Sequence, residues 1–245
     1  MVLEFSGGVR PSEQLGGDGS IACAPSSIWE ATDIPDGGWA YFPSALKHRA
    51  TIDGDFLRAC SRWGEPVPSH PRGSLIDVLQ PVEQAAAVRN TLSSRYGIGA
   101  FPFHSDTAHW VLPCRYVCLA CVEPGPSHRA TALISLRPIL GSTAWHQATS
   151  QGVFLVRNGK SSFYSTVSAA GRPFVRYDPG CMEPLSPEAK QTFAYCSHLI
   201  ETADPDLIQW NAGDMVVLDN WSTLHARDAS PAPDDSRRLL RLLLR

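Results

Sequence analysis

The sequence predicts a mainly β protein with flanking helices, built on an antiparallel core. Short strand-like runs separated by turn residues fill the second half of the chain, whereas helical patterns occur early and in one late segment. This order lacks the regular alternation of strands and helices that is typical of a parallel sheet. The length of 245 residues and a hydrophobic content of 43% fit a single domain, residues 1–245, with 1–27 as a loop-rich N-terminal segment.

Three helices are predicted. Residues 55–63 carry apolar side chains at helical spacing, and Gly64 ends the helix. Residues 81–94 begin with a proline in the first turn and have an alanine-rich middle, which predicts a second helix. Ser186 is a typical N-cap for a third helix that continues to about Glu201.

The predicted strands are short, and turn residues separate most of them. They cover residues 38–42, 115–122, 131–136, 152–157, 161–167, 174–177, 215–218 and 238–244. In the last of them, alternation places Arg237 and Arg241 on one face and Arg238 with three leucines on the other. We expect the leucine-rich face to pack against helices, while the other face can line a cavity.

Composition narrows the class of partner and the compartment. The net charge is −3, so no basic field is available for nucleic acid. The N-terminus lacks the pattern of a signal peptide, and no stretch approaches the roughly 20 apolar residues of a membrane helix. Seven cysteines, an odd number, favour reduced thiols. We therefore expect a cytoplasmic protein that acts on a small-molecule substrate, without nucleic-acid or membrane partners; the oligomeric state stays open.

A metal site is predicted by His104-Ser-Asp106 together with His225. On an extended segment, His104 and Asp106 point the same way. Two imidazoles and one carboxylate can occupy one face of an iron ion and leave the other face free for a bidentate co-substrate and dioxygen. His109 is a competing ligand candidate, but it faces the other way on an extended chain, which favours a structural or supporting role.

A carboxylate site is predicted near the C-terminus. Arg237 and Arg241 share a strand face, and a guanidinium can hold a carboxylate with two parallel hydrogen bonds. The alternative is a solvated edge strand whose charges deter aggregation. Thr131, at the start of a predicted strand, reads from its own position only as a β-branched strand residue.

Taken together, the motifs resemble the taurine dioxygenase and clavaminate synthase-like family of non-haem iron(II), 2-oxoglutarate-dependent oxygenases. The shared pieces run in family order over roughly residues 60–245: Arg62-Trp63-Gly64, Arg95-Tyr96-Gly97, Phe103-His104-Ser105-Asp106, Arg115 to Leu119, Thr131, Arg176-Tyr177-Asp178, Gly213-Asp214, Asp219-Asn220, Leu224-His225-Ala226-Arg227, and Arg237 with Arg241.

The resemblance implies a double-stranded β-helix (jelly-roll or cupin-like) core and three co-reactants: iron(II), 2-oxoglutarate and dioxygen. It implies that His104, Asp106 and His225 are the catalytic metal ligands and that Arg237 and Thr131 bind the distal carboxylate of 2-oxoglutarate. Arg241 lies on the substrate side of the pocket and is a candidate for both co-substrate and substrate binding.

Further substrate-binding candidates are Arg176, Trp110 and Trp221, and Trp221 stands where the family commonly has an arginine. The simpler interpretation of both tryptophans is that they pack in the core. Arg241 favours an anionic, small, polar, amino-acid-like or natural-product precursor. We expect hydroxylation of an unactivated C–H bond, with desaturation or cyclisation as alternative outcomes of the same cofactor chemistry. Asp106 argues against a halogenase, which needs a small residue there.

Two remote alternatives complete the set. Cys114, Cys118 and Cys121 have the spacing of radical S-adenosylmethionine enzymes, but they fall on an apolar strand that would put Cys114 and Cys118 on one face and Cys121 on the other. Buried free thiols are the simpler interpretation. A non-catalytic β-barrel binding protein that keeps the metal residues is the other alternative; retention of both arginines, Arg237 and Arg241, argues against it.

Overall fold

The computed structural model describes residues 33–48, 51–87, 91–159, 161–229 and 234–245. The predicted loop-rich segment 1–27 lies outside these residues. The described part is mainly β, as predicted, with thirteen strands against five short or medium helices. No helix in this part is long and apolar enough to span a membrane.

The larger sheet is antiparallel and contains six strands. Its central strand β5 lies between β11 and β13, and β5 and β11 carry the longest buried runs. The sheet runs in the order β1, β11, β5, β13, β2, with β3 also pairing with β13; the strands are β1 (Trp39–Phe42), β2 (Pro66–Val67), β3 (Ile76–Leu79), β5 (Tyr116–Glu123), β11 (Met215–Asp219) and β13 (Arg238–Leu244).

A second antiparallel sheet contains four strands and carries most of the candidate site. It runs in the order β10 (Asp206–Ile208), β6 (Thr131–Ser135), β12 (Thr223–Arg227), β4 (Phe101–His104). A three-stranded sheet lies apart in the order β8 (Ser161–Ser165), β7 (Phe154–Asn158), β9 (Met182–Pro184).

Strand β13 shows how the layers are assembled. Leu240, Leu242 and Leu244 pack with the apolar side of helix α1 (Ile52–Cys60) on the outer face of the larger sheet. Leu239 and Leu243 point the other way, into a cluster shared with the second sheet. The predicted alternation is therefore confirmed for Leu239–Leu244, and it directs Arg241 toward the space between the sheets; Arg237 immediately precedes the strand.

Helices cover the outer faces. The remaining ones are α2 (Leu92–Tyr96), α3 (Arg137–Leu140), α4 (Thr143–Thr149) and α5 (Pro187–Thr202). Helix α5 begins as predicted, because the Ser186 side chain accepts a hydrogen bond from the backbone N–H of Ala189. With α4 it covers the outer side of the second sheet.

Two predicted elements are wrong. Instead of one helix over 81–94, the described residues form a 3₁₀ turn (Gln84–Ala86), and α2 begins only at Leu92. None of the turn residues is buried, and a short helix without packing is marginal in water. Residues 174–177 form no strand, because the N–H groups of Val175 and Arg176 donate to two separate segments, at Trp221 and Val167, rather than to one neighbouring strand.

Candidate metal centre and adjoining carboxylate pocket

Two histidines from neighbouring strands of the second sheet face each other. His104 is the last residue of β4, His225 lies within β12, and the antiparallel register pairs the two directly. Residues opposite each other in such a pair project to the same face of the sheet. The two ring centroids accordingly lie 4.3 Å apart. Strand pairing thus joins two imidazoles that are far apart in the sequence.

Asp106 completes a three-residue cluster. One carboxylate oxygen lies 3.7 Å from Nε2 of His104, and the other lies 3.9 Å from Nε2 of His225. One ligand atom from each residue lies within 4.8 Å of the other two. Two imidazole nitrogens and one carboxylate oxygen suit iron(II), and such a set leaves the opposite side of the ion open. The donor set therefore fits the metal that the resemblance implies.

Backbone contacts fix the orientation of the first histidine. Nδ1 of His104 lies 2.9 Å from the carbonyl oxygen of Pro102. A carbonyl only accepts, so Nδ1 carries the proton and the lone pair of Nε2 faces Asp106. Nδ1 of His225 is buried and has no hydrogen-bond partner among the described residues, so this ring is held by its strand.

Asn220 holds the backbone of the carboxylate ligand. Its Oδ1 accepts from the N–H of Asp106 at 2.7 Å, and its Nδ2 donates to the carbonyl oxygen of Asp106 at 3.0 Å. Nδ2 also donates to the carbonyl oxygen of Cys114 at 2.9 Å. Asn220 follows β11 directly and is buried. One amide side chain therefore connects the larger sheet to both ends of the loop after His104.

Arg241 forms a bridge between the cluster and strand β3. Its Nη1 donates to both oxygens of Asp106, at 3.1 and 3.2 Å. Its Nη2 and Nε donate to Oδ2 of Asp77, at 2.9 and 3.2 Å. Asp77 is the cross-strand partner of Arg241 in the β3–β13 register. The predicted co-substrate and substrate residue thus lies beside a predicted metal ligand, with a quarter of its side chain exposed.

Charges around the cluster favour an ionised carboxylate beside a neutral imidazole. Burial raises the pKa of Asp106, but attraction to Arg241 and both histidines outweighs burial and holds that pKa well below its ordinary value. Burial and the neighbouring His104 lower the pKa of His225 to about 3. At neutral pH, Asp106 is therefore a carboxylate and His225 is uncharged, the states in which both bind metals.

Thr131 lies further along the paired strands β6 and β12. Thr131 pairs with Arg227, two residues along from Leu133, which pairs with His225. Two residues of strand span about 7 Å, so Thr131 lies one pleat from the metal ligand. Its Oγ1 accepts from Nε1 of Trp210 at 2.9 Å. A hydroxyl whose oxygen accepts in this way still has its own proton to donate.

Arg237 lies four residues before Arg241, at the start of β13. It is buried, and its Nη1 donates to the carbonyl oxygen of Pro124 at 3.0 Å. Its Nη2 is buried without a hydrogen-bond partner in the described part of the chain. An unsatisfied buried guanidinium nitrogen needs an acceptor. This nitrogen is therefore available to a carboxylate, as the resemblance implies for Arg237.

Arg176, a predicted substrate residue, lies in a network of hydrogen bonds to the protein itself. This side chain is buried, and all three of its nitrogens are used. They donate to Ser165 and to the carbonyl oxygens of Ala108, Trp110 and Val111. Four of its five N–H groups are used in this way, so Arg176 stabilises the loop that follows the His-x-Asp segment, and its role in substrate binding stays a prediction.

Both predicted tryptophans contact neighbouring side chains or backbone of the protein itself. Nε1 of Trp221 donates to the carbonyl oxygen of Pro113 at 3.1 Å, and the guanidinium of Arg115 lies 4.4 Å from the ring centroid. Trp110 packs against the cluster between the sheets and contacts His109 edge to face. His109 itself lies outside the group of three converging ligands.

The cysteines do not form a cluster site. Cys118 points to the outer face of the larger sheet, whereas Cys114 and Cys121 belong to the cluster between the sheets. The predicted grouping of Cys114 with Cys118 is wrong, because β5 begins only at Tyr116 and alternation does not extend back to Cys114. All three are free and buried. Their thiols have the character of core side chains.

Asn220, Asp77 and Trp210 are site residues that the sequence patterns did not reveal. Asn220 lies in the Asp-Asn motif before His225, and this position in the motif could have identified it as a site residue. Asp77 and Trp210 had no motif around them. They reach the site only because β3 pairs with β13 and β10 pairs with β6.

Comparison with known proteins agrees with the motifs. The family model "Taurine catabolism dioxygenase TauD, TfdA family" matches residues 207–243, the segment that contains His225, Arg237 and Arg241. Clavaminate synthase 2 from Streptomyces clavuligerus is 27% identical over 165 residues. That alignment covers 61% of this chain and 50% of the relative, so the chain spans about half the length of that enzyme.

Solved structures show the fold. An asparagine oxygenase in complex with Fe(II), 3-hydroxyasparagine and succinate superposes with a TM-score of 0.65 at 16% identity, over 86% of this chain and 74% of that one. PvcB from Pseudomonas aeruginosa gives 0.61 at 18% identity, over 84% and 75%. The non-haem iron oxygenase OrfP in complex with Fe and α-ketoglutaric acid gives 0.60 at 17%, over 79% and 64%. The core is a double-stranded β-helix, as the resemblance implied.

Proposed function

We propose that this chain, a relative of the TauD/TfdA and clavaminate synthase-like oxygenases in sequence and fold, is a non-haem iron(II), 2-oxoglutarate-dependent dioxygenase. One observation carries the proposal: the buried cluster of His104, Asp106 and His225. Thr131, one pleat from the cross-strand partner of His225, and the unsatisfied buried nitrogen of Arg237 support it. When bound, iron(II) and 2-oxoglutarate supply the chemistry, in which dioxygen converts 2-oxoglutarate to succinate and carbon dioxide and oxidises a substrate C–H bond.

The residues of the proposed metal centre hold the metal ion and orient its ligands. His104, His225 and Asp106 are the proposed ligands. Arg241 donates to the oxygens of Asp106, so one carboxylate oxygen can bind the metal while the other stays hydrogen-bonded. Asn220 fixes the backbone of Asp106 on both sides. The ligand therefore does not need to reorganise when the metal arrives.

The adjoining pocket anchors the co-substrate. Arg237 and Thr131 are proposed to bind the distal carboxylate of 2-oxoglutarate, because Arg237 has a free buried nitrogen and Thr131 has a proton to donate. A carboxylate held there fixes the distance between that end of the molecule and the metal. Anchoring of this kind converts a random encounter into a fixed geometry.

We propose a small, polar, amino-acid-like or natural-product precursor as the substrate. Arg241 is partly exposed, and its Nη2, which donates once to Asp77, keeps a second N–H that supports an anionic group near the metal centre. The named relatives that bind 3-hydroxyasparagine and the clavaminate synthase similarity support an amino-acid-like molecule. Hydroxylation is the proposed outcome; desaturation or cyclisation is the second candidate, since it requires the same bound groups.

A coupled assay tests the proposal. The purified protein is incubated aerobically with iron(II), 2-oxoglutarate and a panel of amino acids, and succinate and modified substrate are quantified. We expect iron-dependent succinate formation that His225→Ala abolishes and that His146→Ala, on the exposed side of α4, leaves intact. A product that gains one oxygen atom indicates hydroxylation, and one that loses two hydrogens indicates desaturation. Absence of succinate in every reaction would favour a binding protein.

A cytoplasmic location and the absence of nucleic-acid or membrane partners are also proposals. They are supported by the net charge of −3 and by six cysteines in the described residues that are all free. Fractionation of the native host, with the thiols trapped by alkylation before lysis, tests the location. Disulfide-linked cysteines in the trapped protein would contradict it.

A further inference from the structure

Arg129 is a buried guanidinium that has no hydrogen-bond partner among the described residues. It lies in the loop just before β6, and only 3% of the residue is exposed. Its Nε, Nη1 and Nη2 are all buried and make no hydrogen bond within the described residues. Arg176 and Arg227, by contrast, donate to backbone carbonyl oxygens. A buried cation with five unsatisfied N–H donors is strongly unfavourable unless an anion completes it.

The surroundings of Arg129 are positively charged. Arg129 and Arg237 lie close enough for each to oppose the other's charge, and Arg129 acts in the same way on Arg227. Burial lowers the pKa of Arg129, and the nearby carboxylates of Asp234 and Asp228 only partly oppose this effect. Within the described residues, neither carboxylate accepts a hydrogen bond from Arg129. Three guanidiniums thus share one buried region.

Asp234 is the acidic side chain that most favours the charged form of Arg129, and it is only half engaged. Asp234 is buried; its Oδ2 accepts a hydrogen bond from the hydroxyl of Ser127, whereas its Oδ1 has no hydrogen-bond partner within the described residues. One carboxylate oxygen therefore remains for three guanidiniums. The chain therefore leaves an excess of positive charge and free N–H donors beside the pocket of Arg237 and Thr131. Arg129 lies two residues before Thr131, which brings its backbone to the same edge of the second sheet.

We propose that Arg129 is a second guanidinium for the distal carboxylate of 2-oxoglutarate, acting together with Arg237 and the Thr131 hydroxyl. This inference rests on the proposed function. A carboxylate offers about four acceptor positions, more than one free nitrogen of Arg237 and one hydroxyl can fill. The three free nitrogens of Arg129 supply the missing donors.

Trp210 acts in this arrangement as a positioning residue. Its Nε1–H donates to Oγ1 of Thr131 at 2.9 Å, so the Thr131 proton points elsewhere and is available to the carboxylate. Trp210 is buried and does not need to touch the ligand. Trp210→Phe retains the ring and removes only the donor.

Binding measurements separate this role from a structural one. The Fe(II)-loaded protein is titrated without oxygen by calorimetry, with 2-oxoglutarate and with 2-oxopentanoate, which lacks the distal carboxylate. We expect Arg129→Gln to weaken 2-oxoglutarate at least tenfold and to leave 2-oxopentanoate within about twofold, from one lost charge-assisted contact. Arg129→Lys should recover part of the loss. Arg238→Gln, on the opposite face of β13, is the matched control and should change neither affinity.

Thermal unfolding of the metal-free protein gives an independent readout. If Arg129 serves an absent anion, Arg129→Met removes an uncompensated buried charge and should raise the unfolding temperature. A side chain that stabilises the fold would lower it. Trp210→Phe should weaken 2-oxoglutarate more than 2-oxopentanoate.

The outcomes are distinguishable. Equal weakening of both ligands by Arg129→Gln, or unchanged affinity for 2-oxoglutarate, overturns the role of Arg129 and leaves the proposed function standing. A wild-type protein that binds iron(II) but neither oxoacid overturns both. Selective loss of 2-oxoglutarate together with a raised unfolding temperature of Arg129→Met supports the proposal.

Discussion

Replacing Asn220 with alanine should loosen the metal centre without touching a metal ligand. The substitution removes three hydrogen bonds, two to the backbone of Asp106 and one to the carbonyl oxygen of Cys114. Each is worth about 1 kcal/mol net, so we expect a loss of about 3 kcal/mol in the free energy of unfolding. For a chain of 245 residues this corresponds to a fall of about 6–12 °C in the unfolding temperature.

Metal affinity should fall as well. The bonds of Asn220 hold the backbone at Asp106, and loss of such a support typically weakens a metal site by about 10- to 100-fold. The assay is a competition titration of iron(II) under anaerobic conditions against a chelator of known affinity, with thermal unfolding of the metal-free protein in parallel. Both quantities are measured on the same preparations.

Asn211→Ala is the matched control. Asn211 is exposed in the turn before β11, and its side chain makes a 3.3 Å bond to Asp214, so its loss should change stability by about 0.5 kcal/mol or less. Asn220→Ala with wild-type unfolding temperature and wild-type iron affinity would refute the reasoning. A loss of stability with unchanged iron affinity would show that Asn220 supports the fold but not the ligand.

Four further predictions concern single residues. Arg237→Ala should raise the KM for 2-oxoglutarate by roughly 30-fold or more, because a charge-assisted carboxylate contact is worth about 2–5 kcal/mol. Arg238→Ala should affect stability or solubility more than this KM. The reverse pattern in steady-state titrations would mean that β13 is shifted by one residue. EDTA should abolish activity that added iron(II) restores, and His225→Ala should lose the metal, which elemental analysis checks; wild-type iron content would remove the assignment. Asp106→Ala should be inactive because the site loses its anionic ligand, and full turnover in this variant would contradict that role. Arg176→Met should lower the unfolding temperature with little selective effect on substrate affinity, since its donors serve backbone carbonyls; a rise in substrate KM at unchanged stability would support it as a substrate residue.

The sequence by itself determined those features that depend on local periodicity. The alternation of β13 separated Arg237 from Arg238, and the structure has the leucines of that strand on the helix-covered face. The N-cap of α5 followed from one serine. The His-x-Asp spacing and the motif around His225 marked the three residues that converge in the fold. These signals survive because a strand or a cap is specified by residues near each other in the chain.

Only the tertiary structure decided which charged groups meet. Arg241 bridges Asp106 and Asp77 because β13 pairs with β3. Arg176 donates its hydrogen bonds mainly to carbonyl oxygens of a loop far away in the sequence. The absence of a hydrogen-bond partner for Arg129 among the described residues is likewise a property of packing. Arginine side chains therefore differ in role within one fold: Arg241 joins two carboxylates, Arg176 holds a loop, and Arg129 keeps unsatisfied N–H groups. The role of each depends on long-range strand pairing and on burial. No local pattern encodes those distances, whereas the register of paired strands fixes them.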